Sequence, residues 1–552
     1  MKNRKKKIGF TLIELLAVII VLAIIALIAT PIIFNVIENA KIKSLENSCY
    51  GVIDAVRTNY AEGLLNSEDG TVKSKGNVTE ITVAGEQPIA GTWEIDNSSN
   101  PDNRGIKIKD VKFGSMKDYT CTNLNSDGTI NSKVTCTKGG NNDEPTSEYT
   151  DNSGANKPEL FDNMVAIKYE NEKWLVANTS EKWYDYDAKE WANAVVLNSG
   201  VTKNVGDEVK EEDVALWYVW IPRYKYTIFN GNNESVDSQL INVAFESGVS
   251  RTGTVTCSDN ADGSETCSTI TNGTSTYTHP AFKFGNTELT GFWVGKFEIS
   301  TTDSTCNSSA SSANCNKVLT MTIKPNVSSW RYATISNHFT SIQNARTTYG
   351  ISNADSHMLK NMEWGAVAYL KQSKYGLGIK DIGINNNSNY ITGCGAASGS
   401  KKSSTCDEYN TANGMLSSTT GNIYGVYDMA GGAWERVMGN MKNSSNAFYS
   451  SNAGFTTAPD AKYYDSYKYD SSSYTTHARG KLGDATKETL ATFGSFNGGW
   501  YSDYVSFPYS SYPWFARGGS YDDGTGAGVF YFYYSNGGVY NNYSARAVLS
   551  AP

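Results

Sequence analysis

The stretch that decides the organisation of this chain is KNRKKKIGFTLIELLAVIIVLAIIALIATPIIF, residues 2–34, in which a basic head precedes an apolar run whose only charge is Glu14. A helix from Phe10 to Val36 would be about 40 Å long, enough to cross a hydrocarbon core of about 30 Å. A carboxylate inside lipid is costly and needs a partner, here an amine. We therefore expect one N-terminal membrane pass with Glu14 as a functional residue.

The segment GFTLIE at residues 9–14 resembles the processing motif of the type IV pilin family. The resemblance implies a leader, residues 1–9, that prepilin peptidase removes between Gly9 and Phe10 before it methylates the new terminal Phe10. It also implies that Glu14 pairs with the amino group of a neighbouring pilin subunit during filament assembly. Pro31 stands where related pilins carry a helix-loosening proline. The alternative is an ordinary signal anchor that contains a stray glutamate.

The cysteine spacing and the charge are typical of an exported protein. Eight of the nine cysteines form four close couples, Cys121/Cys136, Cys257/Cys267, Cys306/Cys315 and Cys394/Cys406. Local disulfides in an oxidising compartment are the simplest account, although eight cysteines allow 105 pairings. Cys49 is left over, either as a buried thiol or as a cross-link between subunits. Loss of the five basic leader residues takes the formal net charge from −8 to −13, which argues against a nucleic-acid partner.

The pattern along the chain predicts an α+β protein with two bodies. A long N-terminal helix (10–65) precedes a small antiparallel-sheet head of the pilin kind (66–140), in which short strand-like runs alternate with Gly, Asn and Asp turns. Residues 141–157 are polar and predict a linker. Residues 158–213 are interpreted as a separate aromatic-rich subdomain, and 214–552 as a large, irregular α+β domain.

The last domain resembles the formylglycine-generating enzyme (sulfatase-modifying factor) family, a variant of the C-type lectin fold. The resemblance rests on WYVWIP (217–222), FWVGKFE (292–298), MEWGAVAY (362–369), YGVYDMAGGAWE (424–435), RGGSY (517–521) and Arg546. The active oxidases bind copper through two cysteines after the last of these motifs, whereas this chain has no cysteine after Cys406. Gly432 and Arg436 also depart from the motif. We therefore expect no copper, no formylglycine synthesis and no catalytic residues.

The same resemblance implies a calcium site. Its ligands would be the carboxylates of Asp428 and Glu435 and the carbonyl groups of Gly431 and Ala433, an oxygen-only set that suits Ca²⁺. The alternative is that the two acids cap turns and accept hydrogen bonds from backbone amides.

The C-terminal fifty residues are unusually rich in Tyr, Asn, Ser and Gly, the mixture that antibody paratopes favour. Lectin-like domains diversified by retroelements carry their variable positions in the corresponding segment. The predicted ligand-binding surface comprises Tyr501, Tyr504, Tyr521, Tyr531, Tyr533, Tyr534, Asn536, Tyr540, Asn541, Asn542 and Tyr543. A third to a half of the aromatic residues in this segment are expected to be exposed, and the ligand is a glycan or a protein.

These features predict a minor or tip pilin-like subunit that passes from the cell membrane to an extracellular pilus and displays a non-catalytic lectin-like domain for adhesion. Two alternatives remain open. A pseudopilin of a secretion or DNA-uptake system would have the same N-terminus, and a surface enzyme could be built on the same C-terminal fold.

Overall fold

The computed structural model describes residues 41–65, 72–96, 105–116, 119–125, 128–138, 149–233, 235–306, 313–471, 479–492 and 496–552. The chain divides into two compact units, Met1–Thr146 and Ser147–Pro552. The predicted roles of Gly9, Phe10, Glu14 and Pro31, and most of the predicted membrane helix, lie outside the described residues. Within the described ranges, no helix is both long enough and apolar enough to span a bilayer.

Unit 1 combines a helix with a meander of five strands. The elements are α1 (41–65), β1 (Lys75–Asn77), β2 (Pro88–Asp96), β3 (Gly105–Phe113), β4 (Tyr119–Leu124) and β5 (Ile130–Lys138). The strands pair antiparallel in sequence order, β1-β2-β3-β4-β5. The short strand-like runs expected at 106–108 and 111–113 form one continuous strand, β3, whose backbone takes a positive φ of 56° at Asp110.

The core of unit 1 lies between one face of α1 and the sheet. Val52 and Val56 are buried together with Trp93 and Val111, while Leu64, near the end of α1, is exposed. Cys49 is the free cysteine of the chain and belongs to this core. Burial raises the pKa of its thiol to about 12, so the group is neutral and behaves as a small apolar side chain.

Unit 2 contains most of the regular structure of the chain. Its elements are β6 (Met164–Glu170), β7 (Lys173–Val176), β8 (Asn193–Leu197), β9 (Val214–Pro222), β10 (Tyr224–Thr227), β11 (Val243–Phe245), β12 (Cys257–Asp259), β13 (Glu265–Cys267), β14 (Thr276–Thr278), β15 (Lys283–Phe284), β16 (Thr287–Glu288), β17 (Gly291–Gly295), β18 (Ser300–Thr301), β19 (Met321–Thr322), α2 (Ile335–Thr348), β20 (Asp355–Met358), α3 (Asn361–Lys371), β21 (Trp434–Met441), β22 (Asp465–Tyr467), β23 (Trp514–Gly518), β24 (Gly528–Ser535), β25 (Tyr543–Ala545) and β26 (Ala547–Ser550).

A seven-stranded antiparallel sheet, ordered β20-β26-β17-β9-β8-β6-β7, is the centre of unit 2. Strand β9 reads VALWYVWIP and is buried along its whole length, as a continuous apolar run predicts for a strand covered on both faces. The last strand of the chain, β26, pairs with both β17 and β20, so the C-terminus is built into the core. This predominantly β architecture with few helices is compatible with the predicted irregular α+β class.

The second large sheet of unit 2 positions the C-terminal aromatic residues. Its strands are ordered β22-β21-β23-β24, and β25 pairs with β21. Strands β22 and β25 run parallel to β21, and β23 runs antiparallel to both β21 and β24.

Two predicted boundaries differ in the structure. Residues 158–213 do not form a separate subdomain, because β6, β7 and β8 are strands of the seven-stranded sheet and pair with β9. The described end of the predicted linker, residues 149–157, also belongs to unit 2. Asp151 is buried and accepts a hydrogen bond from Tyr186 N (2.7 Å), and the Asn156 side chain donates to the carbonyl of Thr290 (2.8 Å). A polar composition therefore hid a segment that is fixed by hydrogen bonds and by the apolar contacts of Tyr149 and Ala155.

All four predicted cysteine couples are disulfides in the structure. Cys121–Cys136 joins β4 to β5, and Cys257–Cys267 joins β12 to β13. Cys306–Cys315 and Cys394–Cys406 close two local loops of unit 2. Loops of this length contribute about 3 kcal/mol each in the chain-entropy model, and they place the folded domain in an oxidising compartment.

Candidate functional site

The candidate site is an aromatic surface on unit 2, built around the end of β24. Residues 528–532 and Ser535 of this strand are buried, whereas Tyr533 and Tyr534 are half-buried, so the strand is covered along its length except at these two tyrosines. The rings of Tyr533 and Tyr534 stack at 4.2 Å. We define the aromatic surface as Trp434, Phe496, Tyr504, Tyr509, Tyr512, Tyr533, Tyr534 and Tyr540.

Ring contacts join the members of the aromatic surface into one patch. Tyr534 packs against Tyr509 and Tyr512, with ring centroids 5.0 and 5.1 Å apart. Phe496 packs against Tyr504 at 4.3 Å and against Tyr533 at 6.0 Å, yet it is 49% exposed. Large exposed apolar groups gathered in one place are typical of interaction sites, and tyrosine adds a polar tip that can form a hydrogen bond.

Trp434 extends the patch onto β21. Its ring stacks with Tyr533 at 6.3 Å and packs against Tyr543 at 4.9 Å, and its indole N–H donates to Asp523 Oδ2 at 3.0 Å. This hydrogen bond fixes the orientation of the ring, so the tryptophan presents a preorganised face at low entropic cost.

A buried arginine supports the edge of the patch. The Arg436 guanidinium lies 4.5 Å from the Tyr543 ring and 5.9 Å from the Tyr540 ring, and it donates to the carbonyls of Ala333 and Gly538. Burial lowers the pKa of Arg436 to about 10, so the group stays charged at neutral pH. Arg436 serves here as a cation against two tyrosine rings.

The structure divides the predicted surface residues into three groups. Tyr540 and Asn541 are exposed, and Tyr501, Tyr504, Tyr521, Tyr533, Tyr534, Asn536 and Asn542 are half-buried. The prediction is wrong for Tyr531 and Tyr543, which are buried. Tyr531 lies in the covered part of β24, and Tyr543 lies in β25, which pairs with β21 beneath Trp434.

Three of the half-buried predicted residues are held mainly by contacts inside the protein. The Tyr501 hydroxyl donates to the carbonyl of Ile379 and accepts from the Gln372 amide. Tyr521 packs edge-on against Tyr390 at 4.9 Å. The Asn536 amide donates to the Tyr540 hydroxyl at 2.9 Å and thereby orders the exposed end of the patch.

The sequence interpretation missed four members of the aromatic surface: Trp434, Phe496, Tyr509 and Tyr512. The C-terminal fifty residues, in which the binding surface was predicted, begin after Phe496. The tyrosines of FPYSSYPWF at 507–515 lie within those fifty residues and could have been included in the prediction. Trp434 was considered only as part of a motif. Its place in the patch depends on the pairing of β21 with β25, which no local pattern reveals.

The acids predicted to bind calcium are engaged by protein donors. Asp428 accepts hydrogen bonds from the Asn385 amide (2.8 Å) and the Gly393 backbone N–H (2.8 Å). Both carboxylate oxygens of Glu435 are bound by Arg546, with Nε to Oε2 at 2.9 Å.

A third carboxylate, Glu298, completes this buried cluster and accepts from the backbone N–H of Ala433 at 2.9 Å. Burial, together with the charge of Asp428, holds the pKa of Glu298 well above its usual range. Burial also raises the pKa of Glu435 to about 7 against the opposing effect of Arg546.

The calcium site at Asp428, Gly431, Ala433 and Glu435 therefore stays a prediction. In the structure both Glu435 oxygens are engaged by the Arg546 guanidinium, so a bound cation would share that carboxylate with the arginine. Among the described residues, two other groups of ligand-type side chains lie close together, Cys49/Cys121/Cys136 and Cys257/Glu265/Cys267. Each includes a disulfide, whose sulfurs are not thiolates and are poor metal ligands.

Comparison with known proteins supports the N-terminal part of the interpretation. Residues 4–30 match the family described as "Prokaryotic N-terminal methylation motif", so the chain has a type IV pilin-like N-terminus. This motif implies pilin subunits and prepilin peptidase as partners, and a membrane-anchored chain that is then assembled at the surface. No curated protein matches the chain.

A solved structure, "Major Tropism Determinant P3c Variant", aligns with 70% of this chain and 94% of its own length at 12% identity. The TM-score is 0.21, and a likeness at that level carries no argument about this protein.

Proposed function

We propose that the chain is a minor or tip subunit of a type IV pilin-like filament, and that unit 2 is a non-catalytic lectin-like domain that recognises a glycan or protein at the cell surface. The observation that carries this proposal is the methylation motif at residues 4–30 on a chain whose second unit presents the aromatic surface. Prepilin processing accounts for export and assembly, and the aromatic surface accounts for recognition.

The size of unit 2 favours a low copy number. Unit 2 runs from Ser147 to Pro552 and is much longer than unit 1. Subunit heads in a helical filament are close neighbours. At the tip of a filament, a subunit of this size does not have to fit between the heads of neighbouring subunits. The three disulfides of unit 2 add stability outside the cell, where an adhesive domain must persist.

The aromatic surface favours binding over catalysis. Stacked tyrosines provide large, rigid contact areas at low entropic cost, and their hydroxyl groups can pair with sugar or peptide groups. The sequence has no cysteine after Cys406, so it lacks the thiolate pair of the copper oxidases that it resembles.

Immunogold labelling of sheared filaments with an antibody against unit 2 tests the location. We expect gold at filament ends and at low density. Dense labelling along the shaft, or recovery of this chain as the most abundant subunit, would contradict a tip role. Label confined to the cell envelope would favour the pseudopilin alternative.

A glycan array probed with the full-length chain in detergent tests recognition. The variant Tyr533→Ser/Tyr534→Ser should lose the signal of the neutral glycans that the wild-type chain retains, because it removes the stacked pair at the centre of the patch. Tyr469→Ser is the control, since this tyrosine is half-buried in unit 2 and is not a member of the aromatic surface. Equal loss in both variants would contradict the assignment of the surface.

A further inference from the structure

The segment that forms most of the aromatic surface presents no basic side chain to solvent. From Glu488 to Pro552 the sequence contains two basic residues, Arg517 and Arg546, and both are completely buried. Every member of the aromatic surface except Trp434 comes from this segment. The side-chain charges that the segment exposes are therefore all negative.

Two aspartates of this segment lie in the loop between β23 and β24, which we call the acidic turn (residues 520–526). Asp522 is exposed and Asp523 is half-buried. Asp523 Oδ2 accepts hydrogen bonds from the Ser520 backbone N–H at 2.8 Å and from the Trp434 indole N–H at 3.0 Å. The acidic turn is thereby attached to one ring of the aromatic surface.

A second ring holds the other end of the acidic turn. The Tyr504 backbone N–H donates to the Gly526 carbonyl at 2.9 Å, and a Cβ atom at Gly526 would lie 2.5 Å from the Tyr504 ring. Phe496 packs against both Tyr504 (4.3 Å) and Tyr533 (6.0 Å). Tyr533 stacks in turn with Trp434 at 6.3 Å. The four rings and the acidic turn therefore form a closed circuit of contacts.

No basic group of the protein pairs with the two aspartates in the part of the chain that the structure describes. Burial raises the pKa of the Asp523 carboxyl group, its two hydrogen-bond donors lower this pKa, and the charge of Asp522 raises it. No lysine or arginine is among the groups that shift this pKa. A partly buried carboxylate without a cationic partner is stabilised by a cation that a ligand brings.

Basic residues near the aromatic surface do not neutralise the acidic turn. Arg436 is buried, donates to two backbone carbonyls and lies against the two tyrosines at the other edge of the patch. Lys401 and Lys402 are exposed on a loop that approaches Thr525. Within the described ranges, neither lysine forms an ion pair with the acidic turn, so its carboxylates are available to a ligand.

The rings favour a positively charged ligand as well. The face of an aromatic ring is electron-rich and attracts an ammonium or guanidinium group, and tryptophan is the strongest partner of this kind. A neutral sugar can stack on the same rings, but it leaves Asp523 without a cation. Rings and carboxylate together therefore select a ligand that carries positive charge.

We propose that the aromatic surface binds a basic segment of a partner protein, with a lysine or arginine side chain among Trp434, Tyr533 and Asp523. Such a segment supplies the cation together with peptide groups that tyrosine hydroxyls can pair with. The formal net charge of −8 attracts a basic partner at longer range. This assignment rests on the proposed function, whose ligand it narrows to a protein.

Isothermal titration calorimetry on the full-length chain in detergent tests the proposal, with hexalysine and hexaarginine as basic probes and hexaserine and hexaglutamate as control peptides. A glucosamine hexamer in mildly acidic buffer serves as a cationic sugar. We expect at least one basic peptide to bind with a Kd of about 1 mM or tighter, and neither control peptide to bind. Added salt should weaken binding, because partly exposed charges are screened.

The variant Asp522→Asn/Asp523→Asn should weaken binding of the basic peptide by about tenfold. Asparagine keeps an oxygen acceptor for the two donors that hold Asp523. Asp407→Asn/Glu408→Gln is the matched control, because it removes the same charge from an exposed acidic pair outside the acidic turn. Asp522→Asn alone changes an exposed side chain and should leave the melting temperature unaltered, so weaker binding in this variant cannot reflect misfolding.

Four results would overturn the proposal. They are that no basic peptide binds at about 10 mM, that the control peptides bind as tightly as the basic ones, that the glucosamine hexamer binds more tightly than either basic peptide, or that the two double variants weaken binding equally.

Failure of this proposal is distinguishable from failure of the proposed function. If Tyr533→Ser/Tyr534→Ser loses a neutral glycan that the wild-type chain retains, while no basic peptide binds, the aromatic surface recognises a sugar and only the basic-segment proposal falls. If the basic peptides bind this variant as tightly as they bind the wild-type chain, the rings take no part in recognition and both proposals fall.

Discussion

Arg546 and Glu435 form a fully buried ion pair through two contacts, with Arg546 Nε 2.9 Å from Glu435 Oε2 and neither side chain exposed. The same guanidinium donates to the carbonyls of Gly295 (2.7 Å) and Tyr427 (2.9 Å). Through these hydrogen bonds Arg546 connects the C-terminal segment to Gly295 and Tyr427, which are distant from it in the sequence. Breaking a buried ion pair whose remaining donors are satisfied strongly destabilises a protein. The intact pair need not contribute much net stability.

Replacement of Arg546 by Met should destabilise unit 2 by about 3–5 kcal/mol, because it leaves the Glu435 carboxylate buried and unpaired. Urea unfolding followed by tryptophan fluorescence measures the change. The double variant Arg546→Met/Glu435→Gln is the matched control and should lose less than the sum of the two single variants. Strict additivity would show that the pair is not energetically coupled.

Removal of calcium should leave unit 2 unchanged, because Arg546 supplies the positive charge next to Glu435 and protein donors occupy Asp428. The check is a thermal melt with EGTA and a second melt with added Ca²⁺. A melting temperature that falls with EGTA and recovers with Ca²⁺ would restore the predicted calcium site.

The stability of unit 2 should fall as pH rises from about 5 to 7, partly because of Glu488. This buried carboxyl accepts from the hydroxyl groups of Tyr369 (2.8 Å) and Tyr226, and burial raises its pKa from 4.5 to about 7. Across that interval the folded state holds a proton that the unfolded state has lost. The free energy of unfolding therefore decreases with pH, on the order of 1 kcal/mol per pH unit for one group.

The variant Glu488→Gln should show a shallower pH dependence than the wild-type chain, measured by urea unfolding at several pH values. Glu208→Gln, at an exposed glutamate paired with Lys173, is the control and should keep the wild-type slope. An unaltered slope in Glu488→Gln would mean that Glu488 titrates normally in the folded protein.

Tyr531 and Tyr540 should respond oppositely to truncation, although both were predicted to form the binding surface. Tyr531→Ala removes a buried ring and should cost about 3–5 kcal/mol. Tyr540→Ala changes a side chain that is 41% exposed and should alter stability by about 0.5 kcal/mol or less. Chemical denaturation of the two variants distinguishes them, and equal losses would contradict the burial pattern of β24.

The features that the sequence predicted correctly depend on neighbours in the chain. The methylation motif is a contiguous run, and each disulfide closes a loop of 9 to 15 residues. Turn residues and apolar periodicity carry such local information.

The features that the sequence predicted poorly depend on contacts between distant segments. Glu435 meets Arg546 across 111 positions, so a motif alone could not show that an arginine engages this carboxylate. Tyr531 and Tyr533 look equivalent in the sequence, yet only the first lies where neighbouring elements cover both sides of β24.

Mass spectrometry of sheared surface filaments, run without reduction, tests most directly whether this chain is processed and assembled as a pilin-like subunit. We expect an N-terminal peptide that begins at methylated Phe10, recovered in the filament fraction together with the four disulfide-linked couples. An intact Met1 end, or a processed chain found only in the membrane fraction, would contradict assembly into a surface filament.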